Sequence, residues 1–155
     1  MTINETPTYS HKQLAINSFN ATWDLMDLNE RTKEEEEEMI HLTHVSFWHW
    51  TQVEGHTPRN LSIGYWQLSR VYAIAELGER SHYYAGRCLS VSIDNQIEPF
   101  YIGYAYEALS RANALLDRHD LSKEQAQQAL EYAQKVKDES SKEMLIKDLQ
   151  MIDCQ

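Results

Sequence analysis

The chain has 155 residues and a net charge of −10, a length that suits one domain with a proper core and a charge that disfavours a phosphate-backbone partner. An apolar fraction of 42%, with four tryptophans and nine tyrosines, excludes disorder, while five glycines and three prolines suit helices better than a turn-rich β fold. Cys88 and Cys154 make neither a disulfide framework nor a metal-type spacing, and no apolar run is long enough to span a bilayer, so neither a nucleic acid nor a membrane is expected as partner.

Residues 1–10 are polar, with no basic start followed by an apolar run; they are expected to be loosely held, and the protein to be cytoplasmic. His11 to about Leu28 carries Leu14, Phe19, Trp23 and Met26 at helical spacing. Thr32-Lys33-Glu34-Glu35 fits a capping box that opens a second helix, and the acidic run Glu34 to Glu38 falls where the helix dipole favours carboxylates. This helix runs through Met39, Leu42, Val45, Phe47, Trp48 and Trp50, and Gly55 supplies its exit. Thr57-Pro58 opens the third helix; Gly78 is expected to end it and Glu79 to begin the fourth. Pro99 begins the fifth. Ser122-Lys123-Glu124-Gln125 reads as a second capping box opening the sixth. Ser140-Ser141-Lys142-Glu143 opens the last, whose Leu145, Leu149 and Ile152 form one apolar stripe. Short connections predict antiparallel neighbours in an all-α fold of about seven helices.

The chain also matches itself forty-one residues on. Tyr65 to Tyr101 lies over Tyr106 to Lys142 without a gap, with identities at Tyr65/Tyr106, Leu68/Leu109, Ser69/Ser110, Arg70/Arg111 and Ser81/Ser122, among others. A period of that size marks stacked helical hairpins. Large residues such as Tyr65, Leu68 and Tyr72 recur on the third helix, and Tyr106, Leu109 and Asn113 on the fifth. Slim residues (Ala85 and Cys88, then Ala126 and Ala129) line their partners and let the helix axes approach. At the same offset Ile40, His44, Phe47 and Trp48 stand in place of Ser81, Ala85, Cys88 and Leu89, so the first hairpin is either a degenerate repeat or an unrelated cap. The expected organisation is one helical-repeat domain over 11–155: a divergent hairpin at 11–55, repeats at 57–97 and 98–138, and a capping helix at 140–153.

Tyr65, Leu68, Ser69, Tyr72, Ser81, Cys88 and Leu89, and again Tyr106, Leu109, Ser110, Ser122, Ala129 and Leu130, resemble the packing pattern of the tetratricopeptide repeat, with a longer period and with Asn113 in place of a tyrosine. The resemblance implies hairpins stacked as a short right-handed superhelix with an inner groove for a peptide or protein ligand. The string from Trp23-Asp24-Leu25-Met26 through His49-Trp50 to Ala105-Tyr106-Glu107-Ala108-Leu109 also resembles a group of small bacterial proteins, which brings no activity with it.

Arg70 and Arg111 lie opposite Leu68 and Leu109, on the side that the resemblance assigns to the groove. A pair of guanidinium forks there suits a carboxylate or phosphate. Their structural alternative is an ordinary helical ion pair between Glu107 and Arg111 and a cation–aromatic stack of Arg70 on Trp66; an arginine already paired is less available to a ligand. His49 and Trp50 are placed at the groove edge, within a run from Phe47 to Trp50 too bulky all round for one core. Glu38/His41 and Glu79/His82 are Glu-x-x-His pairs of the kind that build di-metal sites in bundles, although both glutamates sit near helix starts, where acids are expected anyway. No Gly-rich phosphate loop, nucleophile elbow or His-Glu-x-x-His occurs. The function expected is therefore non-enzymatic and cofactor-free: a groove of Trp66, Arg70, Glu107, Arg111, His49 and Trp50 that binds a peptide or protein. A self-associating homodimer and a metal-dependent enzyme through the Glu-x-x-His pairs are the competitors.

Overall fold

The computed structural model describes residues 6–152, and the expectations for residues 1–5, residue 153 and Cys154 lie outside these. Among the described residues there are seven helices and no strand: α1 (His11–Met26), α2 (Lys33–Gln52), α3 (Pro58–Ile74), α4 (Gly78–Asp94), α5 (Pro99–Leu115), α6 (His119–Ala133) and α7 (Glu139–Ile152). None of them is long and apolar enough to cross a membrane.

The starts of α2, α3 and α5 are fixed locally. Thr32 accepts from the Glu35 N–H while Glu35 reaches back to the Thr32 N–H, closing the expected box. Thr57 and Asn60 do the same ahead of Pro58, and Pro99 is the first residue of α5. Asp138 caps α7 by accepting from the Ser141 N–H at 3.0 Å, so that helix begins at Glu139, one residue before Ser140.

Two expected boundaries are overturned. Gly78 does not end α3; it is the first residue of α4, and the reversal is made by Glu76 in the left-handed region (φ 60). The Leu77 N–H returns to the Tyr72 carbonyl at 2.9 Å and the Glu76 N–H to Ala73 at 3.0 Å, a Schellman closure that satisfies two terminal carbonyls. Forty-one residues on, Asp117 (φ 58) and Arg118 repeat it, with the Arg118 N–H on the Asn113 carbonyl at 2.8 Å. Nor does Ser122 open α6, which starts at His119. Its hydroxyl is buried and donates to the Ser110 carbonyl at 2.8 Å, while Ser110 donates to the Ser122 carbonyl at 2.8 Å.

That reciprocal latch is the repeat in physical form. Ser69 and Ser81 make the same exchange between α3 and α4, at 2.9 and 2.8 Å. A hydroxyl reaches a partner's backbone only if the helices come close, which the buried Ala85, Cys88, Ala129 and Ala133 permit. Leu68 and Leu109 are buried alike, at 1% and 6% exposure. The hairpins stack in chain order, α3 packing on α5 and α5 on α7. Leu145 of α7 enters over Gly103, where a Cβ would lie 2.6 Å from its Cδ2. The first hairpin keeps a trace of the same device: Ser46 of α2 donates to the Ala15 carbonyl of α1 at 2.8 Å. It departs in one respect. The backbones of α1 and α3 scarcely approach each other.

Candidate ligand groove

Rings hold α1 and α3 apart. Trp23 of α1 stacks on Trp66 of α3 with centroids 5.8 Å apart, and Phe19 lies one turn before Trp23. Bulky side chains facing each other set a wide separation, just as small ones set a close one. The space left over forms two neighbouring apolar hollows that share Phe19 and Ile63 as wall residues. One, of about 200 Å³, reaches Ile16 and Trp50. The other, of about 310 Å³, reaches Trp23, Trp66, Phe100, Tyr104 and Met144.

The floor beyond Trp66 is a buried charge network. Glu107 is 0% exposed. Its Oε2 accepts from the Trp66 indole N–H at 3.0 Å, and its Oε1 from Arg70 Nη1 at 3.3 Å and from Arg111 Nε and Nη2 at 2.9 and 2.7 Å. A carboxylate out of water is tolerable only with such a full set of donors. The network ties the equivalent faces of α3 and α5 together, since Trp66 and Glu107 hold the same place in successive hairpins. Arg70 stands 5.9 Å from the Trp66 ring centroid, so both expected pairings are present within one cluster. Desolvation, and then the neighbouring Arg111, hold the Arg70 guanidinium below its ordinary pKa, against the opposing pull of Glu107 and Asp148. Tyr104 donates to Asp148 Oδ2 at 2.7 Å, and burial first, then Asp148, push its phenol well above the ordinary tyrosine range.

A third hollow, of about 280 Å³, opens past this network among Arg31, Arg70, Ile74, Glu76, Arg111 and Leu115. Arg31 comes from the connection between α1 and α2. Its Nη1 donates to the Leu25, Met26 and Leu28 carbonyls at 3.1, 3.3 and 2.9 Å, closing the end of α1.

Of the residues expected at the site, Trp66, Arg70, Glu107 and Arg111 are brought together, and Trp50 walls the far end of the groove. His49 is not with them. Its Nδ1 lies 2.9 Å from Nδ1 of His11, and its ring packs against Trp48, away from the groove walls. The aromatic run divides as its bulk requires: Phe47 turns inward onto Tyr65, while Trp48 is 55% exposed. Arg31, Phe19, Trp23, Tyr104 and Asp148 are groove residues that sequence reasoning did not assign to the site. Tyr104 had a signal, since it stands forty-one residues after Ile63.

Glu38, His41, Glu79 and His82 are not gathered into one donor set: among the described residues no group of three or more His, Cys, Asp or Glu side chains is placed to hold a metal ion. Glu79 pairs instead with Arg118 at 3.4 Å. Cys88 is fully buried, and desolvation pushes its thiol up to about 12, which keeps it a packing residue and not a nucleophile. No family model matches this chain, and comparison with curated proteins and with solved structures gives no match.

Proposed function

We propose that this chain is a non-enzymatic binding module that takes an apolar segment of a peptide or protein partner into a tetratricopeptide-like groove between α1 and α3. One observation carries the reading: where α1 and α3 stay apart, two neighbouring apolar hollows, with Phe19 and Ile63 in the walls of both, follow one another from Trp50 to Trp66. Concave apolar surface with a few fixed polar groups at its edge is what ligand sites look like. Asn60 and Ile63 at one end and Ile74 at the other put the groove at roughly 20 Å along α3, room for about six extended residues. The Glu107 network already ties α3 to α5 through Trp66, which reduces the ordering left to be done on binding.

The test is an array of apolar peptides probed with labelled protein, positive sequences then being titrated against the tryptophan fluorescence. Ile63→Asp places a carboxylate in the wall shared by both hollows and is expected to weaken binding by about tenfold or more, with the helical circular dichroism unchanged. Equal binding by wild type and Ile63→Asp would overturn the groove.

A second reading, self-association through the outer face of α2, rests on Val45 and Trp48 at 42% and 55% exposure. Sedimentation velocity over a concentration series separates the two, because Trp48→Ser would abolish a dimer and leave the groove untouched.

A further inference from the structure

We infer that the hollow between Arg31, Arg70 and Arg111 is an oxyanion subsite at the basic end of the groove, taking a carboxylate or phosphoryl group on the same ligand whose apolar part fills the hollow beside Trp23 and Trp66. The inference rests on the groove reading and adds the chemistry of the ligand's second end.

Three of the chain's fourteen Lys and Arg residues converge on this one hollow in a protein of net charge −10. Their carboxylate partner is already used up. Glu107 lies behind the wall, fully buried, with both oxygens engaged by Trp66, Arg70 and Arg111. Asp148 is taken by the Tyr104 hydroxyl on the apolar side. The donors, by contrast, are not used up. Arg31 makes all three of its hydrogen bonds through Nη1, and Arg70 makes its single one through Nη1. Among the described residues nothing accepts from Nε or Nη2 of either, so each presents the edge that grips an oxyanion with two parallel N–H bonds. Arg111 is the least available of the three, held by Glu107 on two nitrogens, and serves to fix the carboxylate.

Among the described residues Glu76 is the one carboxylate on the wall of the hollow, and no ion pair joins it to the three arginines. It sits on the left-handed turn after α3, at the rim. Within the cluster burial first, and then Arg111, disfavour the charge on Arg70, against the pull of Glu107 and Asp148.

The order of side chains gives the spacing. Along α3 the groove passes Ile63, Trp66, Arg70 and Ile74; along α5 it passes Tyr104, Glu107 and Arg111. Apolar and basic hollows thus follow one another in the same direction on both helices, about two turns or roughly 10 Å apart. A ligand with a bulky apolar group and an anion at that separation fits; an apolar cation does not.

The subsite is tested on the whole protein with two probes, sodium phosphate and sodium acetate, titrated at constant ionic strength in chloride. The Nε–Hε cross-peaks of the arginines report it. Those of Arg31 and Arg70 are expected to move saturably, while those of Arg59 and Arg118, exposed and paired with Glu98 and Glu79, stay still. Arg70→Gln is expected to weaken the anion by about tenfold. Glu76→Gln, which keeps the backbone turn and alters a side chain with no hydrogen bond or ion pair among the described residues, is expected to tighten it by about threefold. The tighter of the two probes names the group on the ligand. Movement without saturation, movement shared with Arg59 and Arg118, or tightening absent in Glu76→Gln would overturn the subsite. If an array peptide binds at Ile63 while the Arg31 and Arg70 peaks stay silent, the subsite falls and the groove stands. If Ile63→Asp leaves peptide binding unchanged, the groove falls first.

Discussion

The hairpins α3–α4 and α5–α6 agree where they hold themselves together and differ where they face something else. Both are latched by a reciprocal serine pair at nearly the same distances, and both first helices end on a left-handed acidic residue, Glu76 or Asp117. Beyond the latch the agreement stops. Tyr72 and Tyr84 stack at 5.8 Å with rings 9° from parallel, whereas the equivalent Asn113 and Gln125 meet as amides at 2.6 Å. On the groove side, Trp66 is answered by Glu107. The latch fixes the distance between helix axes and tolerates only a small hydroxyl. Farther out, a ring stack and an amide pair fill the same space, although Asn113 Oδ1 is buried there without a hydrogen-bond partner among the described residues. The groove positions answer to neighbouring hairpins, not to their own partner helix, so nothing keeps them alike.

The sharpest way to break that comparison is at the groove position. Glu107→Leu would leave Arg111, only 11% exposed at its side chain, and Arg70 without their anion. Removing one partner of a buried pair costs about 3–5 kcal/mol. The loss should appear as a lowered urea midpoint. Trp66→Leu, at the equivalent place, leaves both arginines on the carboxylate and should cost clearly less. Equal losses would mean that the two positions do the same work.

How much of this was legible in the sequence follows from how local each cause is. The starts at Thr32, Thr57 and Pro99 are decided by side chains within a few residues, and all three stand where they read. Ser122 was misplaced because Ser-x-x-Gln describes a capping box and a latched serine equally well; only the nearness of Ser110 decides between them. Glu76 carries no local sign of a left-handed turn and Asp117 only a weak one, since the two returning hydrogen bonds more than residue preference hold them there. In the site, Trp66, Arg70, Glu107 and Arg111 were legible because helical spacing and a repeat put them on one face. Arg31 was not: it sits in a connection whose path depends on where α1 lies. His49 and Trp50 were taken as a pair, yet adjacent residues on a helix point about 100° apart, and only Trp50 reaches the groove.

The latch itself makes a smaller and more exacting test. Ser81→Ala and Ser122→Ala each remove one donated hydrogen bond and weaken the partner's surroundings without adding bulk, at about 1–2 kcal/mol apiece. If the hairpins are equivalent, the two losses match within about 0.5 kcal/mol, and the double variant sums them, because the latches share no partner. Ser46→Ala, whose hydroxyl donates to Ala15, should cost about 1 kcal/mol by the same account. Unequal losses at Ser81 and Ser122, measured by urea unfolding, would show that one latch is incidental to packing supplied by other residues.

The smallest expected effect separates the hairpins by pH. His44 reaches the Tyr72 hydroxyl at 2.7 Å and faces the Tyr84 ring; the positions forty-one and eighty-two residues on are Ala85 and Ala126, which cannot titrate. Burial first, then Arg80 and His41, hold its imidazole below the ordinary 6.5. The unfolded chain therefore takes up this proton at a higher pH than the folded one. Between the two values the unfolded state binds more protons, so stability rises with pH there. It should accordingly be full above 6.5, fall as the pH drops below that value, and level off beneath the folded value. Urea midpoints taken between about pH 7 and about pH 5 would show the slope, and His44→Gln, which can still hydrogen-bond Tyr72, should flatten it. A slope that survives the substitution belongs to another group, and the Tyr72–Tyr84 stack would then set its hairpin apart by shape alone.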